Sequence, residues 1–491
     1  MASAASSRRV VTAFLTILVA TILIWFGNGL DPWWPLMWFA PLLVLLLALR
    51  SSWRLSALAA FASMLLGSLS MWHYLRVLEA PAWVWFAVYI PIALLWTSGV
   101  LLFRSLLLRG AVWSALLAFP ALWVTEEFAR NLFTPHGTGG SLAYTQLRFL
   151  PFLQLASITG PWGMTFVLLL FPAAIAIAIH LRSTNPKQAR RVAATGLAVI
   201  ALVLIYGGIR VAQPIHGEEI TVGLIASDSH ENVRQAGPGA PTERIFRDYA
   251  AQATQLAAHG AQVIVFPEKI GKLIDPDTAS ADAILQSVAN TTGATIVTGL
   301  DYVESSGRYN AARIYQPNTT ALTYNKHHLL PPFEDIFKPG TAITLLNKPS
   351  GTWGVAICKD MDFPPLSRQY GNAGAGLLLV PGWDFNVDRS WHGHMAIMRG
   401  VESGFSIAHA AKNGYLTVTD DRGRIVAETR SDSAGFATLI AKVPVQHDDT
   451  LYLHFGDWFP WLAVAIFAWT LIQRIRTRNQ ISKNAEDTVL A

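Results

Sequence analysis

The stretch GVAICKDMDFPP, Gly354 to Pro365, runs from an apolar β-type segment into a charged, proline-ended turn and contains Cys358, the only cysteine in 491 residues. The apolar part, GTWGVAIC, reads as a strand that ends at the cysteine. A thiol in that place has two readings. It is a small hydrophobe packed at a strand end, or it is a nucleophile whose activating partners lie elsewhere in the same domain. The rest of the chain decides between them.

Working outward, 52% of the residues are hydrophobic and only 14% are charged, which is too apolar for an ordinary soluble enzyme. Stretches long enough to cross a bilayer, about 20 apolar residues each, run over Val10–Phe26, Trp34–Leu49, Leu55–Trp72, Trp83–Phe103, Ala111–Val124, Trp162–Leu181, Val192–Ile209 and Trp458–Ile472. The sequence therefore predicts about eight spans. The fifth is short and runs into Glu126, Glu127 and Arg130, and the first lacks a small-residue cleavage pattern, so it is expected to stay as an anchor.

The net charge of +5 could suggest a nucleic-acid partner, but the basic residues cluster in alternate loops. Arg8 and Arg9, Arg50 and Arg54, Arg104 and Arg109, the group Arg182, Lys187, Arg190 and Arg191, and the group Arg474, Arg476, Arg478 and Lys483 lie on one side; Arg76, Arg130 and Arg148 lie on the other. Lys and Arg are retained on the cytoplasmic face. Both termini are thus predicted to be cytoplasmic, with residues 213–457 outside as the working domain, residues 1–212 as a membrane domain of about seven helices, and residues 458–491 as a last span and tail. No nucleic acid is expected.

A lone cysteine outside the cytoplasm has no intramolecular disulfide partner, so a disulfide framework is excluded. Its domain alternates strands and helices: ITVGLIAS, the helical PTERIFRDYAAQATQLAAHG, AQVIVFPEK ending at Glu268, the helical ADAILQSVANTTG, ATIVTGLDYV, GTWGVAIC and AGLLLVPGW. This pattern predicts an α/β sandwich with mixed sheets. Glu268 and Lys326 fall at strand ends, where ligand-binding groups of such folds tend to lie.

IVFPEK around Glu268, YNKHHLLPPFE around Lys326 and GVAICKDMDFPP around Cys358 together resemble the Glu-Lys-Cys motifs of the nitrilase, or carbon-nitrogen hydrolase, superfamily, in the same order and on the same kinds of element. The multispan N-terminal region, an outward domain and a final span are similar, within that superfamily, to the apolipoprotein N-acyltransferase family, as are KHHLLPPFE and LPFLQLASITGPWGMTFV (Leu150 to Val167). The resemblance implies a multispan α-helical membrane domain plus an extracytoplasmic nitrilase-like α-β-β-α sandwich, in the bacterial cytoplasmic (inner) membrane with the catalytic domain on the periplasmic side.

Cysteine, glutamate and lysine can together supply a nucleophile, a proton carrier and an oxyanion partner for acyl transfer. The resemblance implies these roles for Cys358, Glu268 and Lys326, with the backbone amide of Lys359 as a second oxyanion donor and Glu334 as a supporting carboxylate. Asp360 and Lys359 stand where the family commonly has a longer acid and an aromatic residue, and His409 and Lys412 stand near its usual arginine. Trp383 either lines the cleft or packs a helix, and Arg399 and Glu402 are expected to pack. His327 and His328, adjacent and so on opposite strand faces, are expected to position the loop and not to share a metal.

The implied reaction needs no metal or cofactor. A phosphatidylethanolamine-like phospholipid would acylate the cysteine, and a diacylated lipoprotein would take the chain. Two alternatives remain at this stage. One is a membrane-anchored amidase, favoured by the short segment from Asp335 to Ile357. The other is a transporter or receptor, disfavoured by the scarcity of charge inside the spans.

Overall fold

The computed structural model describes residues 2–214, 217–229 and 234–490, with side chains between Val10 and Thr477. Arg8, Arg9, Arg478 and Lys483 lie outside the described side chains. The chain divides into two compact units, one comprising the residues up to Arg130, Gly140–Ile209 and everything from Asp457 onward, the other Asn131–Gly139 with Arg210–Gly456.

The first unit is helical. Among the described residues six helices are long and apolar enough to cross a membrane: Val10–Gly27, Trp53–Val77, Ala82–Leu108, Pro161–Leu181, Pro186–Ala212 and Trp458–Thr477. Two of the eight expected spans are absent from this set. The Trp34–Leu49 stretch breaks at Phe39 into a single 3-10 turn and a helix of 11 residues, Ala40–Arg50, about 16 Å long and roughly half a hydrocarbon core. Ala111–Val124, except its first residue, lies within the longer helix Val112–Phe133, whose C-terminal half carries Glu126, Glu127 and Arg130. Leu197, Leu202, Ile205 and Ile209 are exposed along Pro186–Ala212, as expected of side chains that face lipid.

Inside this unit Glu127 is nearly fully buried and answered entirely by neutral donors. Its Oε1 accepts from Trp123 Nε1 (3.0 Å) and Leu142 N (2.8 Å), and its Oε2 from Ser141 Oγ (2.8 Å) and Thr165 Oγ1 (2.9 Å). The carboxylate thereby ties the loop at 141–142 to helices Val112–Phe133 and Pro161–Leu181.

Among its described residues the second unit holds thirteen strands: β1 (Glu219–Ala226), β2 (Val263–Val265), β3 (Gly271–Ile274), β4 (Thr295–Glu304), β5 (Gly307–Tyr315), β6 (Leu322–Asn325), β7 (Thr344–Lys348), β8 (Gly351–Val355), β9 (Ala375–Trp383), β10 (Ser406–Lys412), β11 (Tyr415–Thr419), β12 (Ile425–Arg430) and β13 (Ala437–Pro444). They form two mixed sheets, β13-β1-β2-β4-β5-β6 with β3 beside β4, and β12-β11-β10-β9-β8-β7. The centres, β1-β2-β4 and β8-β9-β10, are parallel.

Strand alternation sends side chains two ways. Val222, Leu224, Val265, Val297 and Ile314 of one sheet meet Trp353, Val355, Leu377, Leu379, Ala408 and Ala410 of the other in a shared core. On the outer face of the first sheet, Ile225, Ile264 and Ile296 pack with Phe246, Tyr249 and Leu285 from helices Ala240–Ala258 and Ala279–Thr292. On that of the second, Leu378, Val380 and Ile407 pack with Leu366, Tyr370 and Ala396 from helices Pro364–Asn372 and Trp391–Ser403. Strands covered on both faces need apolar residues at successive positions, which is why VIVF and GLLLV are continuous runs. The layers are α-β-β-α.

The strand expected to end at Cys358 stops earlier, at Val355. Ile357 N leaves the ladder to donate to Asp360 Oδ2 (3.0 Å), so the chain turns two residues before the thiol and Cys358 opens a 3-10 turn, Cys358–Asp362.

Candidate active site

Glu268 follows β2, where Gly299 of the neighbouring β4 leaves room for it: a Cβ on Gly299 would sit 2.4 Å from Glu268 Cα. Its amide donates to Gly382 O of β9 (3.1 Å), a link between the two sheets. Lys326 follows β6, with its amide donating to Asn310 O of β5 (2.8 Å) and its carbonyl accepting from Gly340 N (2.8 Å). Both side chains are 2% exposed.

Lys326 Nζ donates to Glu268 Oε1 and to Glu334 Oε2, each at 2.9 Å. Asn310 Nδ2 lies 2.5 Å from both Glu268 Oε1 and Glu334 Oε1. Glu334 also accepts from Leu330 N (2.8 Å) and Lys269 Nζ (2.8 Å). Two carboxylates therefore face two ammonium groups in a largely buried pocket. Burial alone would strip the Lys326 proton, but Glu268 and Glu334 outweigh it and hold the amine charged well above the usual lysine range. Burial likewise pushes Glu334 up, and Lys326 and Lys269 overturn that, leaving it far below the usual carboxylate range.

Cys358 is half-buried against the shared core, with Sγ 3.9 Å from Trp383 O. Its φ is +42°, a left-handed conformation costing a residue with a Cβ roughly 1–2 kcal/mol. Strain of this kind persists only where the surroundings over-determine it. Burial, then the charge of Glu268, push the thiol pKa well up, with Lys326 opposing. The resting sulfur is accordingly a thiol, and it needs a base to become a nucleophile.

Asp360 fixes this turn. Its Oδ2 accepts from Ile357 N (3.0 Å) and Tyr324 OH (2.7 Å), and its Oδ1 from His327 N (3.1 Å) and His328 N (2.9 Å). One buried carboxylate thus joins the loop after Lys326 to the turn of Cys358. The two histidines follow β6 and are not in it. His328 stacks on Phe363 at 3.7 Å, His327 lies against Tyr324, and both serve to position the loop. Lys359 turns its side chain to Asp362 Oδ2 (3.0 Å). Arg399 and Glu402 pair at 2.9 Å in full burial, as packing residues do.

Three further side chains border the cluster without having been assigned a role from the sequence. Lys269 extends the charge pair from its own left-handed position, φ +48°; its place directly after Glu268 was the one available clue. Asn310 sits mid-strand in β5, where nothing in sequence distinguishes it from a surface amide. Lys412 ends β10 with its Nζ 3.6 Å from the Trp383 ring centroid. The Trp383 ring also lies 5.3 Å from Lys269 Nζ, so this residue borders the cluster with its ring as well as its carbonyl.

The profile described as "Carbon-nitrogen hydrolase" matches residues 233–447, the part of the chain that holds the lone thiol, the buried Glu-Lys-Glu cluster and most of the four-layer sandwich. The profile described as "Apolipoprotein N-acyltransferase N-terminal domain" matches residues 20–174. The apolipoprotein N-acyltransferase of Geobacter metallireducens is 28% identical over 72% of this chain and 73% of its own. The enzymes of that name from Shewanella oneidensis (26%, 71% of each chain) and Caulobacter vibrioides (27%, 78% of each chain) are similar in extent. An amidase from Nesterenkonia sp. aligns with 49% of this chain and 97% of its own at 21% identity and a TM-score of 0.39. The chain is thus similar to apolipoprotein N-acyltransferases over about three quarters of its length.

Proposed function

We propose that the protein moves a fatty acyl chain from a membrane phospholipid, through a thioester on Cys358, to the α-amino group of a diacylglyceryl-cysteine lipoprotein. The observation that carries this reading is the bridge of Lys326 between Glu268 and Glu334 beside a chain's only thiol.

In the first half-reaction Sγ attacks the ester carbonyl carbon of the phospholipid. The S–C bond forms, the C–O bond breaks, and Glu268 takes the thiol proton and returns it to the leaving lysophospholipid oxygen. In the second, the amine nitrogen attacks the thioester. The N–C bond forms, the C–S bond breaks, and Glu268 carries the amine proton to the departing sulfur. An ammonium has three donors. Lys326 spends two on the carboxylates, which leaves one for the oxyanion, alongside the backbone amide of Lys359.

Glu334 explains why Glu268 can accept a proton at all. When Glu268 becomes neutral, Glu334 stays ionised and keeps Lys326 paired, so no charge is stranded in the pocket. The basic loops support a cytoplasmic-membrane enzyme with both termini inside and the sandwich on the periplasmic side, where both lipid substrates are available.

The test is intact-protein mass spectrometry of the detergent-purified chain with phosphatidylethanolamine and then a diacylated lipopeptide. Wild type should gain an acyl mass that the lipopeptide removes as it becomes triacylated, and Cys358→Ser should gain none. Cys358-dependent turnover of small amides with no acylation by phospholipid would instead make the protein an amidase.

A further inference from the structure

Lys412 is fully buried, yet among the described residues it forms no ion pair. Its Nζ has one hydrogen bond, to Lys269 O at 3.1 Å, and one ring, that of Trp383 at 3.6 Å. An ammonium held so sparsely is expensive to desolvate, by several kcal/mol in order of magnitude, and a leucine or methionine would pack the same space at less cost. The acyl-transfer chemistry above makes no use of this amine.

What it touches gives it a purpose. Lys269 O belongs to the turn that carries Glu268, and Trp383 is the residue whose carbonyl faces the Cys358 thiol. The donor itself is locked in place. Asn413, at φ +54°, donates its amide to Asp228 Oδ1 (2.7 Å), Asp228 Oδ2 accepts from Ser431 Oγ (2.5 Å), and Gly414 N donates to that hydroxyl (2.9 Å). Asp384 N donates back to Lys412 O (3.0 Å).

We infer that Lys412 is a positioning residue that clamps the Glu268 turn to the Trp383 segment, and so sets the distance between general base and thiol. The inference rests on the roles given above to Cys358 and Glu268. A charged amine binds both a carbonyl and an aromatic face more tightly than a neutral one, so the clamp is tightest when Lys412 is protonated. Burial, then the charge of Lys269, bring this amine down to about 7. The titratable groups around it are Lys269 and Glu268 after β2, Asp228 after β1 and Asp384 after β9. The charge of the clamp therefore changes near neutrality, present below about 7 and absent above.

Because the chain has a single cysteine, alkylation by iodoacetamide reads the thiol directly and without any lipid, so a wrong substrate assignment and a wrong Lys412 assignment give different results. Lys412→Met keeps the stem and removes the donor. In the full-length protein it should slow Cys358 alkylation about tenfold, the scale of a small misplacement of reacting groups, and erase an inflection near pH 7 in the wild-type rate profile, at an unchanged thermal midpoint. A wild-type rate in Lys412→Met, or an inflection that survives in it, overturns the inference. Should that variant fold poorly, Trp383→Leu, which removes the ring and keeps the carbonyl, is read by the same two criteria.

Discussion

The molecule buries carboxylates in two very different ways. Glu127, in the helical unit, accepts hydrogen bonds from an indole, an amide and two hydroxyls and meets no cation among those four partners. Glu268 and Glu334, in the sandwich, share Lys326, Lys269 and Asn310. Fixed neutral dipoles hold a charge in one place without offering it anywhere to go, and that suits a joint between helices. Mobile protons on ammonium and carboxylate groups allow charge to be rearranged within the cluster, and that suits catalysis. Burial of an acid is therefore not in itself the mark of an active site, and neither is a single cationic partner, since the buried Arg399–Glu402 pair is packing; the shared cluster of two carboxylates and two amines is what differs.

This contrast can be broken at three points. The largest effect is expected from Lys326→Met, which leaves Glu268 and Glu334 facing each other with only Lys269 to balance them. Acylation of Cys358 should disappear, and the variant should lose on the order of 3–5 kcal/mol of stability, as when one partner of a buried pair is removed; denaturant unfolding and intact mass measure the two. Next comes Glu127→Leu, which orphans four donors in the helical unit. Each orphan costs about 1–3 kcal/mol at most and the costs do not add, so the thermal midpoint should fall clearly while iodoacetamide still alkylates Cys358 at the wild-type rate per folded molecule. A changed alkylation rate would blur the distinction between the two carboxylates.

The smallest effect is a matter of pH. Asp362 is pushed up by burial, but Lys359 and His392 prevail and hold it down to about 2. A depressed carboxylate contributes stability that is full above its ordinary value near 4 and is lost as pH falls toward its folded value. The stability of wild type should therefore drop between about pH 4 and pH 2 more steeply than that of Asp362→Asn, as read by thermal midpoints across that range.

How much of this was legible in sequence differs between the units for a physical reason. Spans such as Val10–Gly27 and Pro161–Leu181 announce themselves because lipid demands an unbroken apolar run, whereas Trp34–Leu49 satisfied the composition test and still breaks at Phe39. In the sandwich, Glu268, Lys326 and Cys358 were singled out by the resemblance of three motifs taken together, since each residue alone reads as an ordinary strand-end group. Asn310 carried no signal, being a polar residue in mid-strand, and Lys412 stood out only by its place near the family's usual arginine; only the pairing of β5 with β6 and of β10 with β9 brings them to the cluster. Asp360 was singled out as a substitution at the site, but its hydrogen bonds to Ile357, to Tyr324 and to the loop after Lys326 depend on a turn that no local rule predicts.

The left-handed backbone of Cys358 also has a consequence for anyone who would engineer this chain. Glycine and asparagine are the residues that accept φ +42° with least penalty, so a library screened only for heat resistance would reward their appearance at position 358. Improvement by that criterion would quietly delete the thiol. A residue that such a screen would favour replacing is the one that must be withheld from it.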